Sequence, residues 1–305
     1  MLSLTFLGTG AAIPTLDRNV TALALQREGE TLLFDCGEAT QRQMMRYGIG
    51  FTLRDVFFTH YHSDHILGIT GLVRTLGLQD RTEPMTLHGP RGAKRILGDL
   101  LAVGVEKNRF PVEIVEVRPG DRLGRGDYDI VVFETDHRAD TVGYALAERD
   151  RLGRFHPERA RELGVPEGPL WGRLHKGETV ELPDGRRIGP ADLVGPTRPG
   201  RTVVISGDTR PVPALVAAAR GADLLVHEAT FGDEEVARAR ETGHSTASQA
   251  AQVAREAGVR QLVLTHISAR YTREAPELLA EAQAVFPATT VARDGMVLEV
   301  PYRDD

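Results

Sequence analysis

The chain has 305 residues, 41% of them hydrophobic and 26% charged, which is material for one large or two ordinary domains with a real core. Lys and Arg number 37 against 43 Asp and Glu, and the net charge of -6 excludes a general nucleic-acid coat or basic membrane-surface binder, though not a local basic patch. A single cysteine, Cys36, excludes both an internal disulfide framework and a thiolate zinc knuckle.

In chain order, residues 2–7 alternate like a strand and lack the basic start and apolar run of a signal peptide. No apolar stretch approaches the ~20 residues of a membrane span. The expectation is a soluble, cytoplasmic protein with no membrane partner. One local pattern then recurs: four to six apolar, β-branched-rich residues, then Gly, Asp or His, then helical spacing. That is a layered α/β signature. It predicts strands over 2–7, 21–25, 31–34, 56–59, 85–88, 112–117, 130–133, 142–147, 201–205, 224–226, 261–264, 289–291 and 296–300. Helices are predicted over 38–47, 66–78, 93–103, 212–219 and 277–286, the last with Pro276 suited to a first helical position. Thr246 and Gln249 read as a capping box that starts a further helix running to Ala257.

Residues 149–199 break the pattern, being rich in Arg, Gly and Pro, with one Trp and a short helical stretch at 158–163. They are read as an insertion or arm on a single domain, with a solvated connection as the alternative. Within 149–176, Arg149, Arg151, Arg154, Arg159, Arg161, Arg173 and Lys176 face Asp150, Glu158, Glu162 and Glu167, a local excess of positive charge on an acidic chain.

The chemistry concentrates where the predicted strand at 56–59 ends in His60-Tyr61-His62-Ser63-Asp64-His65. Residues two apart share a face of an extended chain, so His60 and His62 can converge on one cation, while Asp64 and His65, at the turn into a helix, reach a second. Three other predicted strands lead to His137, Asp208 and His266. A lone residue of this kind usually caps a turn. Several delivered to one sheet edge assemble a site, because the sheet holds the converging loops rigid. His60, His62 and His137 supply three nitrogens to one metal; Asp64, His65 and His266 supply the other; and Asp208, with two oxygens, bridges. Nitrogen and oxygen donors without thiolate suit zinc, with manganese or iron as competitors. Two ions ~3.5–4 Å apart acidify water and stabilise charge on an attacked phosphoryl or carbonyl oxygen, so the reaction class is hydrolysis.

These residues carry a resemblance that runs nearly end to end. His60-x-His62-x-Asp64-His65 with His137, Asp208 and His266 resembles the metallo-β-lactamase superfamily. Narrower marks are Phe6-Leu7-Gly8-Thr9-Gly10 followed by Pro14, Leu33-Phe34-Asp35-Cys36-Gly37-Glu38, Ser206-Gly207-Asp208-Thr209, His227-Glu228-Ala229-Thr230 and Gly243-His244-Ser245-Thr246. They make the chain similar to the ribonuclease Z family of tRNA 3′-processing endonucleases. The resemblance implies a four-layer αββα sandwich over residues 1–305, a protruding tRNA-binding arm at 149–199, two zincs per chain, a homodimer and a precursor tRNA substrate. It also implies that Asp64 acts as general base as well as ligand, and that His244, oriented by Glu228, protonates the leaving 3′ oxygen. Without the resemblance, His244 reads as a hydrogen bond at the start of the capped helix, and Glu228 as a surface acid. Gly168-Pro169 matches a Gly-Pro motif of the family's arm, and Arg154 is a candidate RNA contact beside it.

The chain departs from the family in one loop: Leu16 stands where Pro-Ser-Lys-x-Arg-Asn has its lysine, which leaves Arg18 and Asn19 as the remaining phosphate-contact candidates. Cys36 reads as a small buried residue rather than a nucleophile. Two alternatives share the site, a small-molecule phosphodiesterase and a non-catalytic RNA-binding scaffold. The arm argues against the first and the full ligand set against the second.

Overall fold

A computed structural model describes residues 1–105 and 107–303. Their contacts divide into two compact units, one of residues 1–147 with 202–301 and the other of residues 148–201 with the segment from Tyr302.

Among the described residues the larger unit holds two seven-stranded sheets. The first runs in the order Val297–Glu299, Leu2–Gly8, Ala22–Arg27, Glu30–Phe34, Leu53–Phe57, Met85–Gly89 and Val112–Glu116. The second runs Thr289–Val291, Leu262–Thr265, Leu224–Glu228, Thr202–Ile205, Val142–Glu148, Tyr128–Glu134 and Arg122–Gly124. Alternate residues of both sheets, among them Leu4, Phe6, Leu25, Phe34, Val132, Tyr144, Val203 and Val226, close the interior between them. The opposite residues pack under helices. On the first sheet these are Thr40–Arg46, Gly68–Leu78 and Ala93–Leu101. On the second, Pro213–Ala218, Ala247–Ala257 and Pro276–Val285 do the same. The result is the expected four-layer αββα sandwich.

Local chemistry explains several of these elements. Thr246 accepts from the Gln249 N–H while the Gln249 side chain returns to the Thr246 N–H, the capping box read in the sequence. The helix it starts buries Ala247, Ala250, Ala251, Ala254 and Ala257, small residues at helical spacing that let the backbone lie close on the sheet. Pro276 opens its helix, where a missing N–H costs nothing. The helix expected over 66–78 instead comes as a turn at Ser63–Ile66 and a separate helix at Gly68–Leu78, so Asp64 and His65 sit on helical backbone.

The smaller unit holds more regular structure than the short helical stretch read at 158–163. It contains helices Pro157–Glu162 and Pro169–His175 and a hairpin of Val180–Glu181 with Arg187–Ile188. Ala160, Val165, Leu174, Val180, Leu182, Ile188 and Leu193 form its own buried cluster, flanked by Phe155, Leu163, Leu170 and Trp171. These apolar residues are spread over short elements, so no periodic run betrays them. Gly168, at φ +130, hands the chain to Pro169 at the first position of the second helix. Arg159–Glu162, Arg161–Glu167 and Arg173–Glu178 pair at 2.8, 2.7 and 2.7 Å on its exposed surface. Such exposed pairs are worth only about 0–1 kcal/mol each, so the buried apolar cluster and not the surface charge holds this unit together.

Candidate metal centre

The ligand-type residues arrive from the ends of strands. Leu53–Phe57 leads to His60, Tyr128–Glu134 to His137, Thr202–Ile205 to Asp208, and Leu262–Thr265 to His266, while His62, Asp64 and His65 lie on or beside the turn at Ser63–Ile66. The structure brings all seven together. His60, His62, His137 and Asp208 form one group, and Asp64, His65 and His266 another, with ligand atoms in each within 4.8 Å of one another. Asp208 lies among them, its Oδ2 3.6 Å from His60 Nε2, 3.4 Å from His65 Nε2 and 3.3 Å from His266 Nε2.

Ring nitrogens facing ring nitrogens identify the chemistry. His60 Nε2 and His137 Nε2 lie 3.0 and 3.2 Å from His62 Nδ1, and His65 Nε2 lies 3.4 Å from His266 Nε2. The outward nitrogens have partners of their own. His65 Nδ1 donates to Asp35 Oδ2 at 2.8 Å, and His137 Nδ1 donates to the Gly243 carbonyl at 2.7 Å. His60 Nδ1 and His266 Nδ1 meet the hydroxyls of Thr59 and Thr230 at 3.1 and 2.9 Å. A neutral imidazole that donates outward has only a lone pair to turn inward. Lone pairs converging on one point repel unless a cation lies between them, so the donor set fits divalent metal.

Electrostatics agree. Burial pushes His60, His62 and His137 below the usual imidazole range, which keeps the rings neutral and coordinating. Burial also opposes charge on Asp208, yet the surrounding His266, His65 and His60 hold it well below the usual carboxylate range. His65 goes the other way: against desolvation, Asp208 and Asp35 raise it, and the field that favours a proton there favours a metal ion equally.

Two backbone features set this geometry. Asp35 and His266 have φ of +54° and +57°, strained values for residues with a Cβ, and such strain collects at functional sites. Gly207, at φ +63, lies where a Cβ would stand 2.7 Å from that of Thr59, so only glycine lets the loop deliver Asp208.

Glu228 is not the surface acid that its sequence context alone suggests; it is 1% exposed. It accepts the Thr209 and Thr230 N–H groups, each at 3.1 Å, and the Thr230 hydroxyl at 2.8 Å. His244 Nδ1 donates to it at 2.8 Å, which leaves Nε2 for the cleft. Burial opposes charging of His244, but the Glu228 carboxylate outweighs it and pushes the pKa up to about 9. A cleft of about 490 Å³ opens over the cluster, lined by His62, Asp64, Asp208 and His244 together with Phe231 and Arg270.

Arg18 requires a correction. It is 3% exposed, and its guanidinium donates to Thr9 Oγ1 and the Ala292 and Arg273 carbonyls at 2.6, 2.7 and 2.5 Å. It fastens the loop after the first strand from within and is not presented to a phosphate. Asn19 is likewise occupied, its side chain donating to the Glu38 carbonyl at 2.8 Å. Leu16 is fully exposed on that loop. Arg154, Gly168 and Pro169 belong to the smaller unit. Asp35 had no role in the sequence reading, although a lone acid closing an apolar strand, as in Leu32-Leu33-Phe34-Asp35, is the signal for it.

A model of the beta-lactamase superfamily domain matches residues 191–267, and one described as Anti-Pycsar protein Apyc1 matches residues 2–151. With the sandwich and the His/Asp centre, these define a metal-dependent hydrolase of the metallo-β-lactamase superfamily. Ribonuclease Z of Gemmatimonas aurantiaca is 59% identical over 98% of this chain and 96% of its own length. That of Haloferax volcanii is 55% identical over 98% and 95%. The crystal structure of human tRNase Z, short form, superposes with a TM-score of 0.70 at 28% identity, covering 98% of this chain and 99% of that one. The chain belongs to the ribonuclease Z family.

Proposed function

We propose that this chain is a dinuclear zinc endoribonuclease that removes the 3′ trailer from precursor tRNA, leaving a 3′ hydroxyl on the tRNA and a 5′ phosphate on the trailer. The observation that carries this reading is the His244–Glu228 pair, held beside a seven-residue metal cluster on one cleft in a chain of this family. His60, His62 and His137 would hold one zinc, Asp64, His65 and His266 the other, and Asp208 both; manganese and iron fit the same donors less well. Bound there, the two ions supply an acidified water and stabilise charge on the phosphoryl oxygens.

The chain's own groups do the rest. Asp64, whose Oδ2 accepts the Ala12 N–H at 2.7 Å, is aimed into the cleft and takes a proton from the attacking water as well as serving as ligand. The proton on His244 Nε2 goes to the leaving 3′ oxygen, since an alkoxide of high pKa leaves poorly without one. Glu228 holds that imidazole charged and oriented. The smaller unit is the tRNA-binding arm, with Arg154 and the Gly168-Pro169 turn on the RNA side. The active form is a homodimer in the cytoplasm. Among the described residues no helix is long and apolar enough to cross a membrane.

Two ions per chain are expected by metal analysis of protein purified without chelator. At most one ion under zinc-replete conditions would sink the dinuclear assignment. Asp208→Ala is expected to lower metal content and melting temperature together, because metal binding is coupled to the folded state.

A small-molecule phosphodiesterase would use the same centre, and the cleft admits a small diester. Replacing roughly residues 154–173 by a short Gly/Ser bridge separates the readings. The metals and hydrolysis of a small phosphodiester are expected to survive, because the sandwich has its own cores. Precursor tRNA cleavage is expected to collapse through weaker binding. In the intact enzyme tRNA affinity is expected to fall steeply with salt, as Arg and Lys release counterions from phosphates. Wild-type processing by the deletion variant would refute the arm's role and favour the small substrate.

A further inference from the structure

We infer that Tyr302 is a positioning residue for RNA capture: its ring ties together the two rails of the arm's stalk, and the arm's grip on precursor tRNA depends on that tie. The inference rests on the arm being the tRNA-binding element proposed above.

The rails are residues 148–156 and 193–201. Backbone hydrogen bonds join them at scattered points. Arg201 O accepts the Glu148 N–H at 2.9 Å, Arg151 and Arg198 exchange bonds of 2.7 and 3.0 Å, the Gly195 N–H reaches Arg154 O at 2.8 Å, and the His156 N–H reaches Leu193 O at 2.9 Å. Gly153, Gly195, Pro196, Pro199 and Gly200 interrupt any regular ladder. A lone two-stranded ribbon is marginal in water even when regular, so this one needs side chains to hold it.

Tyr302 provides them with a common anchor. Arg151, on one rail, lies over its ring with the guanidinium carbon 3.3 Å from the centroid. Arg201, on the other rail, lies 3.9 Å from the centroid and donates from Nη2 to the Tyr302 hydroxyl at 3.2 Å. Arg201 is itself buried and clamped by Glu148, with Nε to Oε2 at 2.8 Å and Nη2 to Oε1 at 2.7 Å. Two guanidinium groups brought to one point repel each other. An aromatic ring attracts both through its π system, and Glu148 pairs with Arg201. Tyr302 follows the strand Val297–Glu299 of the sandwich, so the smaller unit is joined to the larger by a third chain crossing, after those at 147–148 and 201–202. The ring makes that third crossing a structural member of the stalk.

The test compares full-length Tyr302→Ala, Tyr302→Phe and the arm deletion. The probes are precursor tRNA, bis(p-nitrophenyl) phosphate and hydrogen exchange of the two rails. Tyr302→Ala is expected to speed exchange across both rails and to raise KM for precursor tRNA about tenfold with kcat within about twofold, leaving the small diester unaffected. Tyr302→Phe keeps the π system and is expected to restore most of the loss, which a role resting on the hydroxyl alone would not allow. Unchanged exchange and KM in the alanine variant would overturn the inference. So would a parallel fall in hydrolysis of both substrates, the mark of a global defect. If Tyr302→Ala loosens the rails yet leaves KM alone while the arm deletion raises it, the arm's role stands and that of Tyr302 falls. If the deletion also leaves KM alone, the arm reading fails, and with it the RNA half of the inference.

Discussion

Asp64→Ala is expected to abolish cleavage, lowering kcat by roughly 10³-fold or more while leaving precursor tRNA affinity within about threefold. The separation follows from where the side chain works. Its Oδ2 lies 3.3 Å from His266 Nε2 and 3.7 Å from His65 Nε2, and the Ala12 N–H fixes its direction at 2.7 Å. Burial opposes its charge, but the hydrogen bond with His266 and the charge of His65 hold the carboxyl below the usual carboxylate range, so the acceptor form is the one present. In the proposed function RNA affinity comes from the smaller unit, which does not contain this residue. Asp64→Asn refines the result, since the amide keeps the shape and one oxygen donor but not the basicity. Metal retained with cleavage lost in the asparagine variant identifies the base. Cleavage retained by that variant would reduce Asp64 to a ligand, and a parallel loss of tRNA binding and cleavage in the alanine variant would mark a structural role instead.

What the sequence made legible follows the range of the interactions. The cluster at 60–65 stands out because its ligands are neighbours on one stretch of chain, where the two-residue period of extended backbone aims them alike. His137, Asp208 and His266 were legible because each follows an apolar strand, and strand ends share an edge of the sheet. The partners that orient these ligands were not, since Asp35 meets His65 and Gly243 meets His137 across long stretches of chain with no local pattern to mark them. Arg18 was misjudged for the same reason: a lone arginine in a loop reads as a surface cation, and only the fold shows that Thr9, Ala292 and Arg273 enclose it. The smaller unit's core escaped because its apolar residues sit on helices and strands too short for a period to emerge. The helix at Val236–Thr242 escaped too, its Arg and Glu residues facing outward with Ala239 alone buried.

His244→Ala is expected to slow the chemical step by roughly 10²–10⁴-fold, the usual contribution of a positioned general acid. The imidazole sits where that role requires it. Nδ1 is engaged by Glu228 at 2.8 Å, so the proton free to leave is on Nε2, and the side chain lines the cleft above Asp208. Glu228 is fixed by three further donors, from Thr209 and Thr230, so it cannot turn away to relieve the charge it stabilises. Gly243, at φ +85, lets the chain turn just before the histidine, and a Cβ there would stand 2.9 Å from His137 Nδ1. A side chain at that position would therefore disturb a metal ligand and the acid together, whereas alanine at 244 removes only the acid. If proton donation is what is lost, the defect depends on the leaving group. A precursor whose bond breaks to release an alkoxide should show all of it, whereas a nitrophenyl ester, whose leaving group departs without a proton, should be hydrolysed by His244→Ala at nearly the wild-type rate. Equal losses on both substrates, with metal content unchanged, would show that His244 stabilises charge on the phosphoryl group and does not deliver the proton.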